Sequence, residues 1–207
     1  MDRFIVFEGI EGAGKTTLST MLQDYLTQQG EKVYLTKEPG GTEIGKDIRK
    51  ILLSNYDENF TPIAELLLYE ADRNLHVENV IKPMLEKDYF VISDRYIYST
   101  IAYQHYGRGI DRSIVDYLNN LTTGGLEPSI VFLIDVPVEV GLERIQKTRD
   151  TDRLESEDIE FHKKLRKGFL NLANEYKDKF YILDGTQNLK DIFDDVISIL
   201  RVKQIIK

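Results

Sequence analysis

Short apolar runs alternate along the chain with longer segments in which apolar residues recur at helical spacing. The runs are rich in β-branched and aromatic residues and cover residues 4–7, 33–36, 89–92, 130–134 and 180–183. Between them apolar positions fall three and four residues apart, as at Leu18, Met21 and Leu22, which is the spacing of one helix face. Because strands that alternate with helices need crossover connections, the pattern predicts a three-layer α/β/α fold with a five-stranded parallel sheet.

Capping and turn residues mark several of the predicted helix boundaries. Gly30 suits the left-handed conformation that ends a helix, and Thr61 followed by Pro62 suits the start of one. Pro137 and Asn188 indicate the beginnings of two more helices. No internal repeat, low-complexity tract or linker interrupts the pattern, so we predict a single domain over residues 1–207.

Composition narrows the classes of function. The 207 residues carry a formal net charge of −8 and include no Cys, which excludes disulfides and thiolate chemistry. An acidic chain lacks the basic surface that neutralises a nucleic-acid backbone, so no nucleic-acid partner is expected. Small phosphorylated ligands stay possible, because a few local cations and N–H groups can hold them. Since we find no signal peptide and no apolar run near the roughly 20 residues that span a bilayer, we expect a cytoplasmic protein without a membrane partner.

The strongest motif, the phosphate loop, occupies residues 9–17 and fits G-x-x-x-x-G-K-[ST]. It follows the first apolar run and opens an amphipathic helix, which is the context that the motif requires. Glycines let backbone N–H groups turn inward around a β-phosphate, and the helix dipole adds positive field. Lys15 can reach the β- and γ-phosphates, while the Thr16 hydroxyl is placed to bind Mg²⁺. The motif therefore predicts a nucleoside triphosphate site, although it does not identify what receives the phosphate. The residues predicted to hold the triphosphate are Gly9, Glu11, Gly12, Ala13, Gly14, Lys15, Thr16 and Thr17.

The phosphate loop has no Arg or Lys between Gly9 and Gly14. A phosphoryl-transfer transition state spreads negative charge over three oxygens and usually meets a guanidinium besides the Lys and the metal. Arg149 and Arg153 lie in a polar segment between two helical segments. Such a segment is most often a solvated loop, but here it is the leading candidate for a closing lid. We predict a lid segment at about residues 144–160 that delivers a catalytic Arg, either Arg149 or Arg153.

Two loops follow strands on the side of the sheet where the phosphate loop lies. Glu38 and Pro39 come after the second strand, and Asp94 and Arg95 come after the third. Loops at the carboxyl ends of parallel strands line one crevice. Asp94 suits Mg²⁺ or its water shell, and Arg95 suits an acceptor phosphate as a further catalytic residue. An ordinary turn and a structural ion pair are the alternatives.

Helix positions supply further candidates for the acceptor. Tyr69 and Arg73 lie four apart and so share a helix face. The ring can stack on a base while the guanidinium meets its edge or a phosphate; a surface cation–π pair is the alternative. Arg49 follows the loop that contains Glu38, although such a residue in isolation is typical of a solvated surface.

The segment after Asp94 mixes ring surface with hydroxyl and amide groups. Helical spacing predicts that Tyr96, Thr100, Tyr103 and Gln104 lie near one face. This mixture suits a planar base better than a protein core. The three histidines are scattered and suggest no metal site or nucleophile, so we give no role to His76, His105 or His162.

Taken in order, these motifs resemble those of bacterial thymidylate kinases over essentially the full length of the chain. The matching segments are residues 7–9, 11–17, 38–42, 94–96, 102–104, 107–109, 124–128 and 152–155, which read FEG, EGAGKTT, EPGGT, DRY, AYQ, GRG, GGLEP and DRLE. The resemblance implies a P-loop NTPase fold of the nucleoside monophosphate kinase type, with sheet order 2-3-1-4-5. It also implies Mg·ATP as donor, thymidine monophosphate (dTMP) as acceptor and a homodimer.

The resemblance also implies roles for individual residues. The position of Glu11 lies near the sugar and phosphate of the acceptor, and those of Arg49, Arg73 and Arg95 contact its phosphate or base. Tyr69 stands where a Phe that stacks on thymine is common.

Further positions concern the base, the sugar and the donor. Thr100 and Gln104 match positions that address the base, and Tyr103 matches a ring that disfavours a ribose 2′-hydroxyl. The family divides by whether its catalytic Arg lies in the phosphate loop or in the lid, and this chain resembles the lid type. Residues 184–187 resemble the loop that borders the donor adenine.

Two other functions fit part of the pattern. A kinase for another nucleotide or a deoxynucleoside would share the phosphate loop, and a nucleoside acceptor would need a base such as Glu38 or Asp94. A regulatory GTPase would share it too, but the N-K-x-D guanine signature of such proteins is missing from the sequence.

Overall fold

A parallel β-sheet forms the centre of the protein. The computed structural model describes residues 3–147 and 152–206. Its five strands are β1 Phe4–Glu8, β2 Val33–Lys37, β3 Phe90–Asp94, β4 Ile130–Asp135 and β5 Phe180–Asp184. Their order in the sheet is β2-β3-β1-β4-β5, with every pair parallel. The predicted fold class, strand number and strand order are therefore confirmed, although β3 begins and ends later than its apolar run suggested.

Helices cover both faces of this sheet. They are α1 Lys15–Gln28, α2 Glu43–Leu53, α3 Pro62–His76, α4 Lys82–Glu86, α5 Ile97–Thr100, α6 Arg112–Thr123, α7 Val138–Gln146, α8 Ile159–Glu175 and α9 Leu189–Val202. The predicted caps are confirmed: the Thr61 side chain accepts from the N–H of Ala64, and that of Asn188 accepts from Asp191. Gly30 follows α1 with φ +83, and Pro137 directly precedes α7.

Strand register brings the loops of the site together. β1 is buried along its whole length between β3 and β4, which explains its unbroken apolar run. Both Phe7 of β1 and Lys37 of β2 pair with Asp94 of β3. The phosphate loop and the segments that follow β2 and β3 therefore leave the sheet side by side.

Two segments of π-helix interrupt the regular helices, Val77–Ile81 after α3 and Ile101–Gly107 after α5. The prediction that Tyr96 shares a face with Thr100 and Tyr103 was wrong. Tyr96 precedes α5 in extended backbone, so helical spacing does not apply to it. Its ring packs edge-on against Phe4 at 4.9 Å between centroids, and its hydroxyl donates to the carbonyl of Leu126 over 3.0 Å.

Within the described ranges, 3–147 and 152–206, no helix has both the length and the apolar character needed to cross a membrane.

Candidate active site

The phosphate loop joins β1 to α1 and depends on glycine at two points. Gly14 caps α1 with φ +102, and Gly12 has φ +69, both in the region that favours glycine. A Cβ on Gly12 would lie 2.1 Å from the carbonyl oxygen of Gly141 in α7. The loop is therefore shaped by close backbone packing, which leaves the N-terminus of α1 open to the cavity described below.

Lys15, the first residue of α1, lies folded over this loop. Its Nζ donates to the carbonyl oxygens of Gly9 and Ile10 over 3.0 and 2.8 Å. Burial, helped by the charge of Arg95, lowers the pKa of Lys15 to about 8. An anion bound in the loop would favour the charged ammonium, so this site is electrostatically suited to phosphate.

Thr16 and Asp94 meet across the sheet edge. The Thr16 hydroxyl donates to Asp94 Oδ2 over 2.6 Å, although 78 residues separate them in sequence. Mg²⁺ binds six oxygen ligands, of which the protein commonly supplies one or two while phosphates and water supply the rest. The Thr16 and Asp94 oxygens beside the phosphate loop fit this pattern.

Arg95 connects the phosphate loop to the rest of the cavity. One guanidinium nitrogen donates to the Gly9 carbonyl over 3.0 Å and another to Glu11 Oε1 over 3.1 Å. The guanidinium carbon lies 5.1 Å from the centre of the Tyr103 ring. The backbone of Arg95 has φ +74, an unusual value for a residue other than glycine, and such strain is typical of functional sites.

Glu8, the last residue of β1, holds the strained turn in place. One carboxylate oxygen accepts from the N–H groups of Tyr96 and Ser99 over 3.0 and 3.1 Å, and the other accepts from the Ser99 hydroxyl over 2.6 Å. Full burial raises the pKa of Glu8 to about 7, although Arg95 and these donors oppose the shift. Glu8 falls in the matching segment FEG, but the sequence predicts no role for it, because a partner such as Tyr96 lies 88 residues away.

The raised pKa of Glu8 predicts a pH-dependent contribution to stability. The folded state holds this proton up to about pH 7 whereas the unfolded state releases it near pH 4.5, so ionisation of Glu8 costs stability as the pH rises through that window. We expect the free energy of unfolding of the wild type, relative to Glu8→Gln, to fall by up to roughly 3 kcal/mol between pH 4.5 and 7.5. Urea titrations at both pH values measure this difference, and an equal difference at both would contradict it.

Arg73 lies at the bottom of the acceptor side, only 2% exposed. It donates to Glu38 Oε2, Glu70 Oε1 and Asn119 Oδ1 over 2.9, 2.8 and 2.8 Å. The Thr100 hydroxyl and the Tyr96 carbonyl also accept from it. A surface cation–π pair with Tyr69, the alternative left open above, is excluded by this depth of burial.

His76, which has no role predicted from the sequence, holds the Glu38 carboxylate in place. Its Nδ1 lies 2.9 Å from Glu38 Oε1, and its Nε2 lies 2.6 Å from the Thr36 hydroxyl. It is fully buried and stands three residues after Arg73 on α3. A residue three positions along a helix shares a face just as one four positions along does, so helical spacing would have placed His76 on this face. The peptide bond between Glu38 and Pro39 is cis.

A cavity of about 670 Å³ joins these parts. The predicted residues that line it are Glu11, Gly12, Ala13, Gly14, Lys15, Thr16, Thr17, Glu38, Pro39, Arg49, Tyr69, Arg73, Asp94, Arg95, Thr100, Tyr103 and Gln104. Gly9 and Arg153 do not line it. Arg49 is not simply solvated, since its guanidinium donates to the Pro39 carbonyl over 2.9 Å. Residues from four distant parts of the sequence thus share one space.

The far end of the cavity is lined by residues of α7 and of the segment after β5. Arg144 of α7 lines it and donates to the carbonyls of Gly12 and Gly185 over 3.4 and 3.1 Å. Gly185 and Gln187, from the segment compared above with an adenine-bordering loop, also line this end. Arg144 resembles any helical Arg in sequence, and only the crossing of α7 over the phosphate loop brings it here.

The described part of the lid segment is bound to α3. Arg153 donates to Glu65 Oε2 over 2.6 Å and to the Leu52 carbonyl over 2.9 Å, and its guanidinium carbon lies 4.5 Å from the centre of the Phe60 ring. Glu65 is buried and also accepts from Gln104 and Arg108. Arg149, the other predicted lid arginine, lies outside the described residues.

The fold and the cavity together define a nucleotide phosphotransferase of the P-loop class, because one space joins a triphosphate loop to an arginine-rich second pocket. Residues 7–196 match the family model described as Thymidylate kinase. The chain belongs to the thymidylate kinase family.

Individual relatives agree with this assignment. A thymidylate kinase of Sulfurihydrogenibium sp. is 55% identical over 206 residues, which cover 100% of both chains. One of Geotalea daltonii is 48% identical over 198 residues, which cover 92% of each. The crystal structure of thymidylate kinase from Ehrlichia chaffeensis matches with a TM-score of 0.76 at 36% identity, covering 95% of this chain and 97% of that one.

Family membership makes the protein a nucleoside monophosphate kinase that takes ATP as its co-substrate. It excludes the regulatory GTPase that the phosphate loop alone allowed.

Proposed function

We propose that the protein transfers the γ-phosphoryl group of ATP to dTMP and so forms thymidine diphosphate for dTTP synthesis. The observation that carries the proposal is the continuous cavity, which has the phosphate loop at one side and Tyr69, Arg73 and Gln104 at the other. One space of this kind can hold donor and acceptor phosphates next to each other. We also propose roles for individual residues on both sides of this cavity.

On the donor side, the glycine-rich loop and the N-terminus of α1 hold the β-phosphate. Lys15 exchanges its two carbonyl contacts for the β- and γ-phosphate oxygens, and Arg144 borders the adenine together with Gln187. The Thr16 hydroxyl and Asp94 Oδ2 lie 2.6 Å apart, and both are oxygen ligands that suit Mg²⁺. When bound there, Mg²⁺ would neutralise charge on the β- and γ-phosphates.

The reaction itself needs positioning more than proton transfer. An oxygen of the acceptor phosphate attacks the γ-phosphorus in line with the departing ADP, and because that oxygen is already an anion no general base is required. Arg95, partly buried and bonded to Gly9 and Glu11, is placed to orient the acceptor phosphate, together with Arg49. A lid arginine completes the charge around the γ-phosphoryl group.

The acceptor nucleoside lies against rings and amides. Tyr69 stacks on the thymine ring, while Thr100 and Gln104 address its edge. Gln104 has a defined orientation, because its amide nitrogen donates to Glu65 Oε1 over 2.9 Å. Glu11 and Tyr103, whose hydroxyl contacts Glu11 Oε1, lie beside the sugar.

The direct test is dTMP-dependent release of ADP from ATP, followed in a coupled assay with thymidine diphosphate identified by mass spectrometry. The proposal expects both products in equal amounts, and ATP consumption without thymidine diphosphate would contradict it.

A deoxynucleoside acceptor would need a carboxylate as general base, and the two candidates, Glu38 and Asp94, are both engaged in other contacts. Glu38 is held by Arg73 and His76, and these contacts lower its pKa despite burial. Asp94 accepts from Thr16. Neither carboxylate is free to take a proton from a 5′-hydroxyl group.

We further propose that the protein works as a homodimer in the cytoplasm, where its charged nucleotides are confined because charged groups cross bilayers poorly. α3 packs between α2 and α6, and all three helices expose apolar side chains at helical spacing. These are Ile44, Ile51, Ile63, Leu67, Ile114, Tyr117 and Leu121. We call them the apolar face. Exposed apolar side chains on three helices that pack together are typical of a symmetric interface.

The apolar face gives a prediction for the oligomeric state. Leu67 lies on α3, the helix that contacts both α2 and α6, and is 52% exposed. Leu67→Glu would place a carboxylate in the interface and is expected to convert the dimer to a monomer. Size-exclusion chromatography with light scattering measures this. Val202→Glu, at an exposed apolar position on α9, is the matched control and should stay dimeric. A monomeric wild type would contradict the proposal.

A further inference from the structure

The two oxygens of the Glu11 carboxylate have different surroundings. Oε1 accepts from Arg95 over 3.1 Å and contacts the hydroxyl of Tyr103, whereas Oε2 is buried and accepts no hydrogen bond. Within residues 3–147 and 152–206, only two buried side-chain atoms lack a hydrogen-bond partner. The other is Nε2 of His162, and the Nδ1 atom of the same ring lies 3.9 Å from Glu11 Oε2.

His162 belongs to the first turn of α8, directly after the lid segment. It is only 1% exposed and does not line the cavity, whereas Glu11 does. Burial of a polar ring is costly unless its nitrogens have partners, and Nδ1 is the nitrogen that has a carboxylate oxygen nearby. An apolar ring such as that of the neighbouring Phe161 would pack equally well, so packing alone does not explain a histidine here.

The separation of 3.9 Å is too long for a hydrogen bond, but a shift of about 1 Å would bring Nδ1 within range of Oε2. Glu11 faces the cavity, so a bound acceptor is the natural cause of such a shift. The bond would hold the carboxylate from the side opposite Arg95 and Tyr103.

We propose that His162 is a positioning residue for the acceptor site, which donates its Nδ1–H to Glu11 Oε2 and fixes that carboxylate against Arg95. The inference rests on the proposed function, in which Glu11 lies beside the acceptor sugar and phosphate. His162 acts through Glu11 and touches neither nucleotide.

Three substitutions separate this role from simple packing. His162→Phe keeps a ring but has no N–H, and we expect it to raise the KM for dTMP about tenfold, the loss of one hydrogen bond to a charged group. The KM for ATP should change by less than about twofold, because the phosphate loop would hold the triphosphate through its backbone N–H groups and not through the Glu11 carboxylate. His162→Asn places an amide N–H close to the position of Nδ1 and should restore most of the affinity. His162→Gln places it near Nε2 and should not.

A double-variant cycle tests whether His162 acts through Glu11. Because a Glu11→Gln variant has already lost the carboxylate, adding His162→Phe to it should raise the KM for dTMP little further. Thermal unfolding of each variant shows whether it is folded, and the Asn variant keeps the test informative if the Phe variant is not.

The outcomes are distinct. A wild type without dTMP-dependent turnover contradicts the proposed function itself. Normal wild-type turnover together with an unchanged KM for dTMP in His162→Phe contradicts the role of His162. Additive effects of the two substitutions, or equal losses in the Asn and Phe variants, also contradict it.

Discussion

Replacing Lys15 by Ala is expected to lower turnover by roughly 10²-fold or more while the protein stays folded. The ammonium is already buried and held 3.0 Å from the Gly9 carbonyl, so we expect it to neutralise transition-state charge with little reorganisation of solvent. Its pKa of about 8 shows that the charge is costly in the absence of an anion. The Ala variant therefore loses catalysis without a large loss of stability.

Steady-state kcat with Mg·ATP and dTMP measures the effect, and thermal unfolding shows whether the variant is folded. Lys177→Ala removes an exposed Lys in the turn after α8 and should leave kcat unchanged. Unaltered turnover in the Lys15 variant would remove the central cation from the mechanism.

Replacing Arg149 by Ala is expected to lower kcat by a similar factor, roughly 10²-fold. The phosphate loop has no Arg of its own, and the lid segment contains two candidates. Arg153 is held by Glu65 and by the Leu52 carbonyl, which suits it to anchor the lid. We therefore propose that Arg149 makes the γ-phosphoryl contact, and expect Arg153→Ala to lower kcat by about tenfold or less.

Paired kinetics of the two variants measure this division. Arg149→Lys retains the charge but not the planar fork and should recover only part of the rate. A large loss of kcat in Arg153→Ala together with a normal kcat in Arg149→Ala would reverse the assignment. Normal kcat in both variants would contradict a catalytic lid arginine altogether.

The sheet was predictable because its signals are local. Each buried strand is an unbroken apolar run, and caps such as Thr61 and Asn188 act within one helical turn. The phosphate loop was predictable for the same reason, since its glycines, Lys15 and Thr16 are neighbours in sequence.

The contacts that hold the site were not predictable, because they join distant segments. Glu8 supports a turn nearly 90 residues away, and His76 supports Glu38 from another helix. Tyr96 left the predicted face because its backbone is extended before α5. Helical spacing does not locate the first residue of a helix to better than about one turn.

The choice of acceptor is the centre of the account. It is tested most directly by measuring kcat/KM with Mg·ATP for dTMP, for deoxycytidine and deoxyguanosine monophosphates and for thymidine, with each product identified. We predict the highest value for dTMP and thymidine diphosphate as its product. Phosphorylation of thymidine or of another monophosphate in preference to dTMP would contradict the account.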